Sequence, residues 1–200
     1  VGFTKKRCVE EASGEICGFV DPDDALTENA IEISVKAYNE NYIATYSQFY
    51  LCDENLNIQN IFKRTKKIKN KNPLFFNTEF EVAHFFTFKK EAYQKTEGIN
   101  PELTSAVDQD LYLKLFEKGD FLYISQPLYL YRLHKKGVSQ EKSKKEKLNL
   151  NWDKVLRDTL KRRNITQLYG KQISKIERLQ YFINKKQNTF FKKLMRKISW

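Results

Sequence analysis

Three carboxylates fall within four positions at Asp21-Pro22-Asp23-Asp24, directly after the apolar run Ile16-Cys17-Gly18-Phe19-Val20. In proteins that alternate strands and helices, ligands gather at the carboxyl ends of strands. Crowded carboxylates repel one another, and a hard divalent cation such as Mg²⁺ or Mn²⁺ relieves that repulsion. It is held by one or two carboxylates and completed by substrate phosphates. The competing reading is an exposed turn whose Asp residues cap the next helix. A second acidic pair, Asp108 and Asp110, opens a helical segment, where the helix dipole favours negative charge. One carboxylate there also has the chemistry of a general base, which must be ionised and close to the hydroxyl it deprotonates. His134 ends the run Tyr129-Leu130-Tyr131-Arg132-Leu133 and offers an imidazole nitrogen to a metal, against the commoner reading of a solvated or core side chain. His84 precedes Phe85 and Phe86, has no partner in the sequence, and reads as core.

The elements that must position these groups alternate. Residues 4–12 read as a helix, Ser13-Gly14 as its stop, and 15–20 as a strand running into the acidic loop. Thr27 is placed to cap a helix through residue 39, with Ile31, Val35 and Tyr38 at helical spacing. Residues 42–51, rich in β-branched and aromatic side chains, read as a strand. Residues 63–72 carry many Lys and Asn and no apolar period, so a surface loop is expected. A strand at 84–88, a short helix at 89–96 and a turn at Glu97-Gly98 follow. A helix at 107–117 comes next, with Leu111, Leu115 and Phe116 inward. A strand at 121–124 closes at Gln126-Pro127. The class is α/β.

The chain has 200 residues, two-fifths apolar and 14% aromatic, enough for a core without disulfides. Cys8, Cys17 and Cys52 are odd in number and lack metal or redox spacing, so buried reduced thiols are expected. No apolar run is long enough to span a bilayer, and the first residues do not resemble a secretion signal, which favours a cytoplasmic protein. The net charge of +11 is uneven, because residues 140–200 hold 18 of the 36 Lys and Arg but 5 of the 25 Asp and Glu. A basic appendage on a near-neutral body argues against nucleic acid as the partner.

The order of these motifs resembles the family 2 glycosyltransferases of the GT-A fold. Residues 16–26 are similar to that family's strand and Asp-x-Asp-Asp loop, and Glu11-Ala12-Ser13-Gly14-Glu15 to the Ala-x-Gly-Glu before it. Residues 86–93 and Glu97-Gly98-Ile99 resemble its acceptor-side strand, helix and turn. Val107-Asp108-Gln109-Asp110-Leu111 falls where the family carries Glu-Asp-x-Asp-Leu, with Val107 in place of Glu. Pro127-Leu128-Tyr129-Leu130-Tyr131-Arg132-Leu133-His134, followed by Ser139, resembles its closing Pro-Leu-Tyr-x-Tyr-Arg-x-His.

By that resemblance the fold is a truncated GT-A domain over residues 1–140, a mixed sheet flanked by helices and lacking the first nucleotide-binding strands. A basic helical extension at 141–200 follows. The implied reaction is inverting transfer from a nucleotide diphosphate sugar, a uridine diphosphate sugar by preference, to a glycan or lipid-linked acceptor in bacterial surface polysaccharide synthesis. Asp21, Asp23 and Asp24 would meet the donor, Asp23, Asp24 and His134 would hold Mn²⁺ or Mg²⁺, and Asp108 would be the base. Asp110 would be a helix cap, and Lys5, Lys6 and Arg7 lie where the family often has an Arg near the diphosphate. Residues 186–200 form a basic amphipathic pattern suited to an anionic membrane surface, here the inner face of the cell membrane, or to packing on the domain. A metal-dependent nuclease or phosphoryl transferase and a non-catalytic basic binding module are the rival readings.

Overall fold

The computed structural model describes residues 1–38, 41–134 and 145–188. The basic pattern at 189–200 and Ser139 lie outside the described residues.

Helix α1 (Gly2–Glu11) leads into β1 (Ile16–Gly18), the acidic loop, β2 (Ala25–Leu26) and α2 (Ala30–Lys36). The start of α1 is locked against a turn: the Gly2 N–H donates to the Leu103 carbonyl at 2.8 Å. A Cβ at Gly2 would lie 2.3 Å from the Asn100 oxygen, so no other residue fits there. Thr27 does not cap α2 through its side chain. Its carbonyl accepts the Ala30 N–H, while its N–H donates to Leu128 on the neighbouring strand. The helix turns Ala30 and Ser34 inward and leaves Ile31 and Val35 exposed. Two i,i+4 stripes one residue apart compete here, and the smaller side chains take the buried face.

Strand β3 (Tyr42–Cys52) is the centre of the sheet. It pairs antiparallel with β4 (Ile58–Ile61) and with β5 (Phe86–Lys89), and parallel with β6 (Asp120–Arg132). The order is β1-β5-β3-β6-β2, with β4 also on β3. Strand β6 does not stop at Pro127. It runs on to Arg132 through an irregularity in which Ser47 faces Ile124 but Gln48 faces Pro127. A proline that donates no N–H is tolerated at such a bulge. That continuation carries Tyr129, Arg132 and, just beyond, His134 alongside the acidic loop.

The Lys- and Asn-rich stretch is anchored by polar groups. The Tyr46 hydroxyl, in mid-sheet, donates to the Lys66 carbonyl at 2.8 Å and accepts from Ile68 N–H at 3.0 Å. Asn70 exchanges two hydrogen bonds with the Phe121 backbone, each 3.0 Å, as a strand residue would. Thr65 and Ile68 are buried. None of this has an apolar period, which is why the segment reads as a plain surface loop.

Helix α3 (Lys90–Gln94) follows β5, and α4 (Val107–Phe116) runs through the core with Leu113 and Leu115 fully buried. Each such side chain stabilises the fold by about 1.5–3 kcal/mol. Residues 145–188 are not a solvated appendage. Helix α5 (Lys145–Arg162), the hairpin β7 (Gln167–Leu168) and β8 (Lys171–Gln172), and α6 (Leu179–Gln187) put Trp152, Leu156, Leu160, Leu168 and Ile183 into the cluster that holds Val9, Phe88 and Leu111. Arg162 and Arg163 both grip Glu117 at the end of α4, at 2.8 and 3.0 Å. The basic composition of this region masks an amphipathic helix pair.

No helix among the described residues is long and apolar enough to cross a membrane. All three cysteines are free thiols, but only Cys17 and Cys52 are buried as expected; Cys8 is exposed on α1.

Candidate active site

The acidic loop is a tight turn, closed by an Asp24 N–H to Asp21 carbonyl bond of 3.0 Å. Its conformation is set by the end of β6. The Tyr129 hydroxyl accepts from the Asp21 N–H at 3.1 Å and donates to Asp24 Oδ2 at 2.7 Å. The Arg132 N–H donates to Asp24 Oδ1 at 2.8 Å, and its guanidinium bonds the carbonyls of Asp23 and Glu54. His134 Nε2 lies 2.7 Å from Asp23 Oδ2. The residues carrying the sequence resemblance at 129–134 thus act as a staple over residues 21–24. Burial, helped by the Asp24 carboxylate, holds the Tyr129 proton far above the ordinary phenol range, so the hydroxyl remains a donor.

The loop's carboxylates differ in role. Asp24 is half-buried and its pKa is raised by burial, in spite of the Arg132 and Tyr129 donors. Both of its oxygens hold protein donors, so it reads as an anchor more than as the open metal ligand expected of it. Asp23 is exposed, and the His134 hydrogen bond lowers its pKa. Asp23 Oδ2 and His134 Nε2 stand at the solvent edge bonded to each other, so an ion would have to replace that hydrogen bond. Among the described residues no three His, Cys, Asp or Glu side chains converge as a ready-made metal cage. An ion completed by substrate phosphates needs only one or two protein ligands, and Asp23 and His134 are the pair that could supply them.

Asp108 reaches the same region from α4. The helix starts at Ala106, in a left-handed conformation with φ 58°, and has no side-chain cap. Asp108 is therefore not spent on capping. Instead Lys5 Nζ, from α1, donates to Asp108 Oδ1 at 2.7 Å and stands 3.4 Å from Asp21 Oδ1. Burial opposes the charge on Lys5, but Asp108 and Asp21 outweigh it and its pKa is raised. One ammonium thus joins the acidic loop to the helix carboxylate. Of the three cations considered at residues 5–7, Lys5 is the one in the site. Lys6 and Arg7 pair with acids of their own helix.

Asp110, one step further along α4, faces the core. It is ion-paired with Lys114 at 2.8 Å and accepts the Asn100 N–H at 2.9 Å. It is a buried structural acid that supports the turn against which α1 starts.

His84 is not a packed core residue. Its ring stacks on Tyr129 with centroids 4.6 Å apart and planes 16° from parallel. It also lines a small cleft with Phe19, Phe86, Asp108, Leu111 and Tyr112. His84 carries no spacing signal that would mark it, because its contact with Tyr129 is made only when β5 and β6 join the same sheet.

A mixed sheet thus brings an acidic loop at a strand end close to an opposed helix carboxylate. The model of the family described as glycosyl transferase family 2 matches residues 5–96. Over those residues the chain is similar to glycosyl transferase family 2. Chondroitin synthase of Escherichia coli is 29% identical over 171 residues, 82% of this chain and 24% of that protein. Hyaluronan synthase of Pasteurella multocida is 28% identical over 171 residues, 83% of this chain and 17% of that protein. The chain therefore spans a quarter or less of the length of these relatives. Among solved structures, S. aureus TarS 1-349 in complex with UDP-GlcNAc superposes with a TM-score of 0.59 at 14% identity, over 78% of this chain and 46% of that chain. The fold is that of the GT-A glycosyltransferases.

Proposed function

We propose that this chain carries the reaction centre of an inverting glycosyltransferase that moves a sugar from a nucleotide diphosphate sugar to a glycan hydroxyl during polysaccharide synthesis. The carrying observation is the Lys5 bridge, which holds the Asp108 carboxylate beside Asp21 of the acidic loop. In this reading Asp108 takes the proton from the acceptor hydroxyl as that oxygen attacks the anomeric carbon. The bond from that carbon to the diphosphate oxygen breaks in the same displacement, with inversion. Asp23 and His134 would hold Mn²⁺ or Mg²⁺, which when bound supplies positive charge to the departing diphosphate. An imidazole ligand favours Mn²⁺ of the two. Lys5 is a positioning residue that sets where the Asp108 carboxylate stands.

The donor and acceptor classes are supported by the relatives, one solved with UDP-GlcNAc and others named for chondroitin and hyaluronan synthesis. The test is turnover of UDP-GlcNAc and UDP-glucuronic acid by wild type and Asp108→Asn. Transfer should fall by about 10²–10⁴-fold in the variant, the range for loss of a general base. Equal turnover would remove Asp108 from the reaction. Residues 186–200 would hold the protein at an anionic membrane, and co-sedimentation with phosphatidylglycerol vesicles that survives their deletion would refute this.

A further inference from the structure

Asp108 and Asp110 stand two positions apart on α4, which is about 200° of helical rotation, so they leave the helix on nearly opposite sides. Asp108 is partly exposed and meets Lys5, whereas Asp110 is buried with Lys114. The two sides are joined through the turn at 98–103 and the start of α1. Lys114 Nζ donates to Asp110 Oδ2 and to the Gly98 carbonyl, both at 2.8 Å. The Ile99 N–H donates to the Tyr93 hydroxyl at 3.0 Å, and the Asn100 N–H to Asp110 Oδ2 at 2.9 Å. The Asn100 carbonyl accepts the Leu103 N–H at 3.3 Å, and the Leu103 carbonyl accepts the Gly2 N–H at 2.8 Å. About 4.5 Å of helix then separates Gly2 from Lys5, whose ammonium returns to Asp108 at 2.7 Å.

Gly2, Ile99, Leu103, Asp110 and Lys114 are all buried. A buried hydrogen-bonded circuit resists deformation, because opening any link leaves a polar group without water. Its tightest point is Gly2, where α1 lies so close to the turn that a Cβ would overlap the Asn100 and Leu103 carbonyl oxygens. Both obstacles are backbone, so an added methyl displaces α1 itself. We infer that Gly2 is a positioning residue for transfer: its bare backbone lets α1 dock on the turn, which sets Lys5 against Asp108 and fixes where that carboxylate meets the acceptor hydroxyl. The Asp110–Lys114 pair is the far anchor of the same brace. The inference rests on the assignment of Asp108 as base, and Gly2 acts on it only through Lys5.

A residue that acts through Lys5 loses its effect once Lys5 is gone, so the two substitutions cannot add. The experiment is transfer from UDP-GlcNAc and UDP-glucuronic acid to hyaluronan oligosaccharides ending in either sugar. It uses the protein with its native flanking sequence, as wild type, Gly2→Ala, Lys5→Met, their double variant and Asp108→Asn, each checked for folding by circular dichroism. Gly2→Ala and Lys5→Met should each lower kcat by about 10–100-fold, the scale of a reacting group displaced by about 1 Å. The double variant should match the more damaged single variant within about twofold. Wild-type kcat in folded Gly2→Ala, or a double loss equal to the product of the single losses, overturns the role of Gly2. If Gly2→Ala does not fold, Asp110→Asn takes its place in the cycle and the same outcomes decide. That variant removes the charge held by Lys114 while keeping an oxygen for the Asn100 N–H. If Asp108→Asn instead transfers like wild type, or wild type transfers to none of these acceptors, the underlying assignment falls, and the inference with it.

Discussion

Lys5 and Asp108 are 103 positions apart in sequence and 2.7 Å apart in space. That bond ties the first helix to the helix that carries the candidate base, and Asp21 shares the same ammonium. Lys5→Met should leave two carboxylates facing each other without a cation. Because both are about one-third exposed, the expected destabilisation is only about 1 kcal/mol. In a domain of this size that is a fall of roughly 2–4 °C in Tm.

The sign of the pH dependence follows from the raised Lys5 pKa. A cation whose folded pKa exceeds its unfolded value stabilises fully below the unfolded value and loses that contribution as pH rises through the folded one. The Tm gap between wild type and Lys5→Met should therefore be steady from about pH 7 to about pH 9 and close above the ordinary lysine value of 10.5. Thermal melts across that range check it, and a gap that widens above pH 10.5 would contradict the bridge.

Tyr129→Phe removes a hydroxyl that accepts from Asp21 N–H and donates to Asp24. Two partners lose their bond at once, so the expected cost is about 1–3 kcal/mol. Urea titration should show a lower midpoint with an unchanged slope. Transfer activity should fall as well, because the loop would lose one of its fixings to β6.

Asp23 and Asp24 should separate under metal titration. Asp23→Asn and His134→Ala are expected to raise the Mn²⁺ concentration for half-maximal activity by about tenfold, or 1.4 kcal/mol. Asp24→Asn should lower stability and leave that concentration within about twofold. EDTA should abolish turnover in all of them, and activity that survives EDTA would exclude a metal role for the pair.

Asp110→Ala leaves Lys114 charged inside the protein with, among the described residues, only the Gly98 carbonyl, 2.8 Å away. Breaking a buried pair from one side costs about 3–5 kcal/mol. Equilibrium unfolding should show that loss. Asp108→Asn, two residues away but partly exposed, should stay close to wild-type stability.

The chemistry was more legible than the architecture that arranges it. The acidic loop, Asp108 and His134 stand out because carboxylates and imidazoles are informative residue types, and their order carries the family resemblance. Lys5 was visible only as one of three neighbouring cations, since nothing local tells which turn of α1 faces Asp108. His84 looked like core because its neighbours are Phe, and its stacking on Tyr129 depends on β6 running past Pro127. The 145–188 region looked like an appendage because Lys and Arg dominate its composition. What packs is the other face, where Trp152, Leu156 and Leu160 recur at helical spacing. The anchored loop at 63–72 was illegible for a different reason, since Tyr46 and Asn70 hold it through hydrogen bonds that leave no periodic trace.

The parallel pairing of β3 with β6 has a consequence for how the molecule comes into being. Tyr50 sits beside Leu130, a partner made 80 residues later. At a synthesis rate of roughly 5–20 residues per second, the central strand emerges about 4–16 s before its neighbour exists. Until then Phe49 is covered by Phe62, and Tyr46 by the Lys66–Ile68 segment and β5, all of which are made before β6. The native pairings of β3 with β4 and β5 can therefore form first, leaving only the edge that β6 later takes. Helix α4 and strand β6, late to emerge, decide when the reaction centre first assembles.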